Sequence, residues 1–107
     1  MSRLTFTPRA LVDFETAARW YQRQSPGVAA RFRKAVQDCI KRIAAAPRLW
    51  PRTEEGTRRA PVARFPYGVF YVESGGKVHI VAIMHHRRHP DAWLSGFGQR
   101  SDSADDV

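Results

Sequence analysis

The chain has 107 residues, which suits one domain whose apolar core forms without metal ions or disulfides. Its hydrophobic content of 43%, with 11% aromatic residues, excludes an intrinsically disordered protein, and no apolar run reaches the length of a membrane-spanning helix. The formal net charge is +8, and fifteen of the 18 basic residues are arginine. Such a composition is expected to attract nucleic acid, acidic protein surfaces or anionic membrane.

Cysteine content and the chain ends indicate the cellular compartment. Cys39 is the only cysteine, which excludes an intrachain disulfide and a cysteine metal cluster. The first residues, Met1-Ser2-Arg3-Leu4, lack the apolar run of a signal peptide. These features predict a soluble protein of the reducing cytoplasm. We expect a single domain over residues 1–100 and a disordered acidic tail over 101–107, which contains Asp102, Asp105 and Asp106.

The N-terminal half predicts a short strand and then a helical hairpin. Leu4 to Thr7 is β-prone, and Thr7-Pro8 has the pattern of an N-cap and a first helical residue. Ser25-Pro26-Gly27 ends this helix and begins a second one, which stops before Pro47. The apolar face of the first helix is expected to contain Leu11, Phe14, Ala18 and Tyr21. That of the second is expected to contain Val28, Phe32, Ala35, Val36, Cys39, Ile40 and Ile43.

Beyond a proline-rich loop, the spacing of apolar residues becomes that of β-strands. Thr57 to Arg64 predicts a strand, which Pro61 confines to a sheet edge or a bulge. Gly68 to Glu73 and Val78 to His85 predict a hairpin, and the Gly75-Gly76 dipeptide between them suits a type I′ turn. Both faces of this hairpin are mainly apolar, so we expect it at the centre of the sheet with the helices on one side.

The turn also predicts which strand residues lie opposite each other. Tyr71 is expected opposite Ile80, Phe70 opposite Val81, and Tyr67 opposite Met84. Because strand side chains alternate between faces, this register puts His85 on the face of Gly68 and His86 on the other face.

Three of the four histidines follow the last strand in the run His85-His86-Arg87-Arg88-His89-Pro90. Histidine titrates near neutral pH, so acid–base chemistry is one interpretation of this run. Anchoring of the strand end, with a carboxylate such as Asp91, and recognition of a partner are the others. A zinc site is not favoured, because strand periodicity separates His85 from His86.

The arginines of the second strand and of the C-terminal run predict a basic recognition surface. Arginine forms paired hydrogen bonds with phosphate or carboxylate groups. The alternative is a solvated edge strand whose charges prevent aggregation. Trp93 is interpreted either as a cover over the apolar sheet or as a side chain that stacks on a nucleobase. The residues expected on one basic face are Arg58, Arg59, Arg64, Arg87 and Arg88.

The order of these features resembles the RelE/ParE superfamily of bacterial toxins from type II toxin–antitoxin pairs. The similarity covers about residues 3–95 and depends on Arg58-Arg59, on residues 65–71 (FPYGVFY), and on the pattern His86-Arg87-Arg88-x-Pro90-x-x-Trp93. It implies an α+β fold, with two N-terminal helices forming a hairpin packed on a roughly four-stranded antiparallel sheet. It also implies a hetero-oligomer with an acidic antitoxin. We expect no membrane partner and no cofactor.

Two activities divide this superfamily. RelE-like members cut mRNA on the ribosome, whereas ParE-like members inhibit DNA gyrase without a catalytic step of their own. The RelE pattern carries over to Arg59 and Arg87, with His86 as a candidate acid or base, but Gly68 occupies the position of a further cleavage arginine. The resemblance therefore favours a ParE-like toxin that arrests growth by binding gyrase.

Two other functions remain open: a ribosome-dependent mRNA endonuclease and a non-toxic basic module that binds nucleic acid. For the favoured interpretation, no metal ligands are expected. The predicted partner-binding residues are Arg58, Arg59, Arg64, His86, Arg87, Arg88 and Trp93.

Overall fold

A helical hairpin packs on one face of a four-stranded sheet in the computed structural model, which describes residues 3–87. The predicted α+β class and helical hairpin are confirmed. Arg88, His89, Trp93 and the tail predicted over 101–107 lie outside the described residues. None of the helices within 3–87 is long and apolar enough to span a membrane. The elements are β1 (Arg3–Phe6), α1 (Pro8–Gln24), α2 (Pro26–Ala45), β2 (Arg58–Pro61), β3 (Tyr67–Ser74) and β4 (Lys77–His85).

The sheet has the strand order β1-β4-β3-β2 and is mixed. The prediction of an antiparallel sheet holds for β2, β3 and β4, but β1 pairs with β4 in parallel. Because α1 continues away from the end of β1 and α2 returns, β2 starts at the same end of the sheet as β1. Two antiparallel reversals then make β4 parallel to β1. As predicted, the β3–β4 hairpin is central, and β2, which contains Pro61, lies at an edge.

The main core lies between the two helices and one face of the sheet. Helix α2 buries the predicted side chains of Phe32, Val36, Cys39 and Ile43. Burial raises the pKa of Cys39 to about 11, so this thiol stays protonated at neutral pH. Helix α1 approaches closely because the residues that it buries are alanines: Ala10, Ala17 and Ala18.

The buried face of α1 differs from the predicted stripe at one position. Leu11 was expected in the core, but it is 52% exposed. The alanine-rich face turns toward the sheet, which leaves Leu11 at its margin. Phe14 and Tyr21 pack against the core as predicted.

Helix α1 also covers the part of β4 that the short strand β1 leaves open. The Thr7 N–H donates to the Ile80 carbonyl (2.9 Å), and the Thr7 hydroxyl donates to the Val81 carbonyl (3.0 Å). The same hydroxyl accepts from the Ala10 N–H (3.1 Å), which confirms Thr7 as the N-cap. One turn later, the Ile83 N–H donates to Asp13 Oδ2 (3.0 Å). These polar groups at the edge of the central strand are therefore satisfied by Thr7, the N-cap of α1, and by Asp13 of α1.

Strand β4 contains one more residue than β3 in the middle of the hairpin. Ser74 pairs with Lys77 and Tyr71 with Ile80, as the turn predicts, and Gly75 and Gly76 both have positive φ. The register then shifts between Tyr71 and Phe70, where Phe70 lies opposite Ala82 and Val81 is the extra residue of a β-bulge.

The bulge changes the face of every residue after it. Tyr67 lies opposite His85 and Gly68 opposite Met84, so the register predicted for this end of the hairpin is wrong. The predicted faces of His85 and His86 are also exchanged, since His85 packs beside Tyr67 on the helix side and His86 lies on the face of Gly68. A second apolar cluster on that face contains Phe70, Val81, Ala82 and Met84.

The turn between β2 and β3 contains a left-handed arginine. The Val62 N–H donates to the Tyr67 carbonyl (2.9 Å) and closes the turn, within which Arg64 has a φ of 70°. Residues with a Cβ rarely adopt this conformation, because the Cβ approaches the following carbonyl oxygen.

Replacement of Asp13 by alanine tests the contact between α1 and β4. We expect the free energy of unfolding to fall by about 1–3 kcal/mol, because the Ile83 N–H loses its acceptor. Amide exchange at Ile83 should accelerate. The control Asp38→Ala removes an exposed ion pair with Lys34 and should cost about 0.5 kcal/mol or less. Equal losses in the two variants would contradict the role of Asp13.

Replacement of Arg64 by glycine tests the left-handed turn. Relief of the backbone conformation should raise the free energy of unfolding by about 0.5–1 kcal/mol, after the higher chain entropy of glycine is subtracted. Ala63→Gly is the matched control, since positive φ is confined to Arg64 among the non-glycine residues of 3–87. It should be destabilising. Thermal unfolding of both variants gives the comparison, and a lower melting temperature for Arg64→Gly would refute the expectation.

Candidate functional site

The side chain of Arg59 crosses β3 on the sheet face that points away from the helices. Arg59 pairs with Phe70, and its guanidinium carbon lies 5.9 Å from the centroid of the Phe70 ring. From there the side chain passes over Gly68. A Cβ atom at position 68 would lie only 2.6 Å from Arg59 Nε and 3.0 Å from Cζ. Gly68 therefore leaves the space that the Arg59 side chain occupies.

Arg59 ends at His86, which lies 27 residues away in sequence. Arg59 Nη2 and His86 Nδ1 are 2.5 Å apart. A guanidinium can only donate, so Nδ1 is the acceptor and the imidazole proton is on Nε2. The His86 N–H donates to the Pro66 carbonyl (2.8 Å), which fixes the backbone beside β3. We call the group of Arg59, Gly68, His86 and Arg87 the Arg59–His86 corner.

The surroundings of His86 favour its neutral form. Although His86 is exposed, slight desolvation lowers its pKa below the ordinary value, and repulsion from Arg59 and His85 lowers it further. The lowered pKa favours the neutral imidazole at pH 7, which keeps the lone pair that accepts from Arg59. The corner therefore combines the fixed positive charge of Arg59 with the neutral imidazole of His86.

His85 has a different role from His86. Its ring packs edge-to-face on Tyr67, with centroids 5.2 Å apart, on the helix side of the sheet. Its Nδ1 accepts from the Arg87 N–H (3.0 Å), so His85 holds the chain as it leaves β4. Within residues 3–87, no group of three or more His, Cys, Asp or Glu side chains is arranged to hold a metal ion.

The predicted single basic face is divided by the alternation of β2. Arg58 pairs with Tyr71 on the helix side, and its Nη1 donates to the Trp50 carbonyl (2.7 Å). Arg58 thus fastens the loop after α2, whereas Arg59 lies on the opposite face. Arg87 is exposed in the corner. Arg64 is exposed in the turn whose Pro66 contacts His86. Arg88 and Trp93 fall outside the described part of the chain.

Two features of this region were missed by sequence reasoning. The contact of Arg59 with His86 depends on the bulge at Val81. Val81 lies in an unbroken run of apolar residues, which does not indicate where a bulge occurs. The position of Gly68 beneath Arg59 could have been predicted. Gly68 lies two residues before Phe70, the strand partner of Arg59, so Arg59 and Gly68 are diagonal neighbours on one face of the sheet.

A second surface is apolar and lies on β1 and α1. Leu4 and Phe6 pair with Val78 and Ile80 at the end of the sheet order, where β1 has no further strand beside it among residues 3–87. On α1, Val12 is 63% exposed and Trp20 is 49% exposed. Large apolar side chains left in solvent on neighbouring elements are typical of protein contact sites.

Chemically, the Arg59–His86 corner has the donor groups of an anion-binding site. Arg59, neutral His86 and Arg87 offer N–H donors, and the pair has the composition of a site that could stabilise a phosphate and move a proton. The same donors suit a carboxylate of a protein partner.

Comparison with known proteins identifies the family. The sequence matches the family model of the ParE toxin of the type II toxin–antitoxin system, parDE, over residues 4–90. The fold is similar to a solved structure of the chromosomal ParDE toxin–antitoxin system from P. aeruginosa, with a TM-score of 0.61 and 24% sequence identity over 79% of this chain and 96% of that chain. A comparison with curated proteins gave no significant match. The matched residues include parts of every described helix and strand. The chain therefore belongs to the ParE toxin family of type II toxin–antitoxin systems.

Proposed function

We propose that the protein arrests growth by binding DNA gyrase in the cytoplasm, without a catalytic step, and that a cognate acidic antitoxin neutralises it. The family match supports a toxin that works with an antitoxin. The observation that favours binding over RNA cleavage is the filled space above Gly68. An RNA-cutting relative would need a further arginine at this position, and the side chain of Arg59 already occupies that volume.

The Arg59–His86 corner is the proposed contact with the target. The Arg59 side chain lies over Phe70 and Gly68, and the Pro66 carbonyl holds the backbone of His86, so little side-chain entropy of Arg59 is lost when an anionic surface binds. Arg64 and Arg87 add exposed positive charge beside it. An anionic surface of the target is expected to be steered to this region by the net charge of +8.

A supercoiling assay tests the gyrase proposal. Purified protein should block supercoiling of relaxed plasmid by gyrase, and Arg59→Ala should need a roughly 10- to 100-fold higher concentration, because a charge-assisted hydrogen bond is lost. Lys41→Ala, on the exposed side of α2, removes the same charge and should leave inhibition unchanged. Undiminished supercoiling at saturating protein would overturn the proposal.

The apolar surface on β1 and α1 is the proposed contact of the antitoxin. An amphipathic acidic segment would cover Leu4, Phe6 and Trp20 with its apolar side, and its carboxylates would meet nearby basic residues of α1 such as Arg19 and Arg23. A disordered chain that folds on binding suits such an extended surface.

Val12→Asp tests this surface with the protein encoded by the adjacent reading frame. The substitution places a negative charge in the apolar surface, so we expect at least roughly tenfold weaker binding of that protein in calorimetry. Gln37→Asp adds the same charge to the exposed side of α2 and is the control. Equal affinities for the two variants would place the antitoxin elsewhere.

The contact between Arg59 and neutral His86 supports a second candidate function, that of a ribosome-dependent mRNA endonuclease. In that reaction, His86 would accept or donate a proton while Arg59 and Arg87 stabilise phosphate charge. Codon-positioned cuts in ribosome-bound mRNA that disappear in both Arg87→Ala and His86→Gln would establish this function. Uncut mRNA would exclude it.

A further inference from the structure

We propose that Gly68 is a positioning residue that allows Arg59 to reach His86, and that the resulting pair binds a carboxylate on the surface of the target protein. The choice of the target protein as the ligand rests on the proposed function. The positioning role of Gly68 rests on the geometry of the sheet alone.

The first support is the close approach at Gly68. A Cβ at this position would lie 2.6 Å from Arg59 Nε and 3.1 Å from Arg59 Cγ. Both atoms belong to a flexible side chain, so a methyl group at position 68 would displace Arg59 and leave the sheet intact. Glycine weakens the interior of a strand, because it has no side chain to pack and a high chain entropy. Its presence in β3 is explained by the path of Arg59.

The second support is that Arg59 has no carboxylate partner among residues 3–87. Within residues 3–87, ion pairs link Arg9, Arg33, Lys34 and Arg48 to carboxylates, but none includes Arg59. Its polar contact is the neutral His86. A partly buried guanidinium whose hydrogen-bond partner is uncharged has the strongest reason to bind an anion from another molecule.

The third support is the set of free donors. Arg59 has five N–H groups and uses one of them for His86. With Nδ1 occupied, His86 presents Nε2–H, and Arg87 follows directly in the exposed chain. All of these groups are donors, and the planar fork of arginine matches the two oxygens of a carboxylate.

Histidine NMR on the full chain tests the positioning role. In Gly68→Ala, the pKa of His86 should rise relative to the unsubstituted protein, because Arg59 moves away and its repulsion is lost. Arg59→Gln should raise the pKa of His86 in the same way without altering the strand. In the double variant the two increases should not add, because both remove one contact. An unchanged pKa of His86 in Gly68→Ala, at an unchanged melting temperature, would overturn the positioning role.

A titration with two probes tests the ligand. A synthetic glutamate-rich peptide should shift the resonances of Arg59 Nε–H and His86, and Gly68→Ala and Arg59→Gln should each weaken its binding at least tenfold. Lys41→Ala is the matched control and should bind like the unsubstituted protein. Tighter binding of a single-stranded RNA oligonucleotide than of the peptide would overturn the assignment to a carboxylate.

The two proposals fail separately. If the protein does not inhibit gyrase, a raised pKa of His86 in Gly68→Ala would still support the positioning role of Gly68. Absence of the pKa change would refute the role of Gly68 whatever protein the toxin binds.

Discussion

Strand β4 is the element on which the rest of the structure depends, because it pairs with β1 on one side and β3 on the other. It also contains the extra residue Val81, which reverses the alternation of every residue that follows. If β4 alternated regularly through Val81, without the bulge, His86 would lie on the helix side and His85 on the face of Arg59. The side chains available at the open end of the sheet are therefore decided by the bulge in its centre.

The bulge is stable because neighbouring elements satisfy its polar groups. A bulged residue leaves backbone groups outside the regular ladder, and buried groups of this kind are costly unless they find partners. Thr7 provides one partner, since its hydroxyl donates to the Val81 carbonyl while accepting from the first turn of α1. Asp13 provides another at Ile83. Helix α1 therefore supports the strand that positions His86, although it lies on the other side of the sheet.

The elements were largely predictable because their signals are local. Thr7-Pro8, Ser25-Pro26 and Gly75-Gly76 act through the backbone of adjacent residues, and each has the predicted effect. The parallel pairing of β1 depends on the path of the whole chain, which no local pattern encodes. The bulge at Val81 is likewise a compromise between two packed faces, so it leaves no mark in an unbroken apolar run.

For the candidate site, the sequence predicted which residues take part but not how they are arranged. Arg59, His86 and Arg87 were expected in it, and the structure brings them to one corner. Arg58 was expected there as well, but strand alternation sends it to the carbonyl of Trp50. The arrangement depends on the face of each strand residue, and one unpredicted bulge changes that face.

Gly68 shows that matching sequence positions between relatives is not enough to transfer a function. The path that each side chain takes in the fold must also be known. In the linear sequence, Gly68 stands where an arginine of an RNA-cutting relative would be, so this position has no positive charge of its own. In the folded chain, the guanidinium of Arg59 lies directly over that glycine and brings its charge from the neighbouring strand. An arginine at position 68 and the observed path of Arg59 would exclude each other, because they need the same volume. The choice between these arrangements decides whether the cations are spread along the sheet or joined to His86.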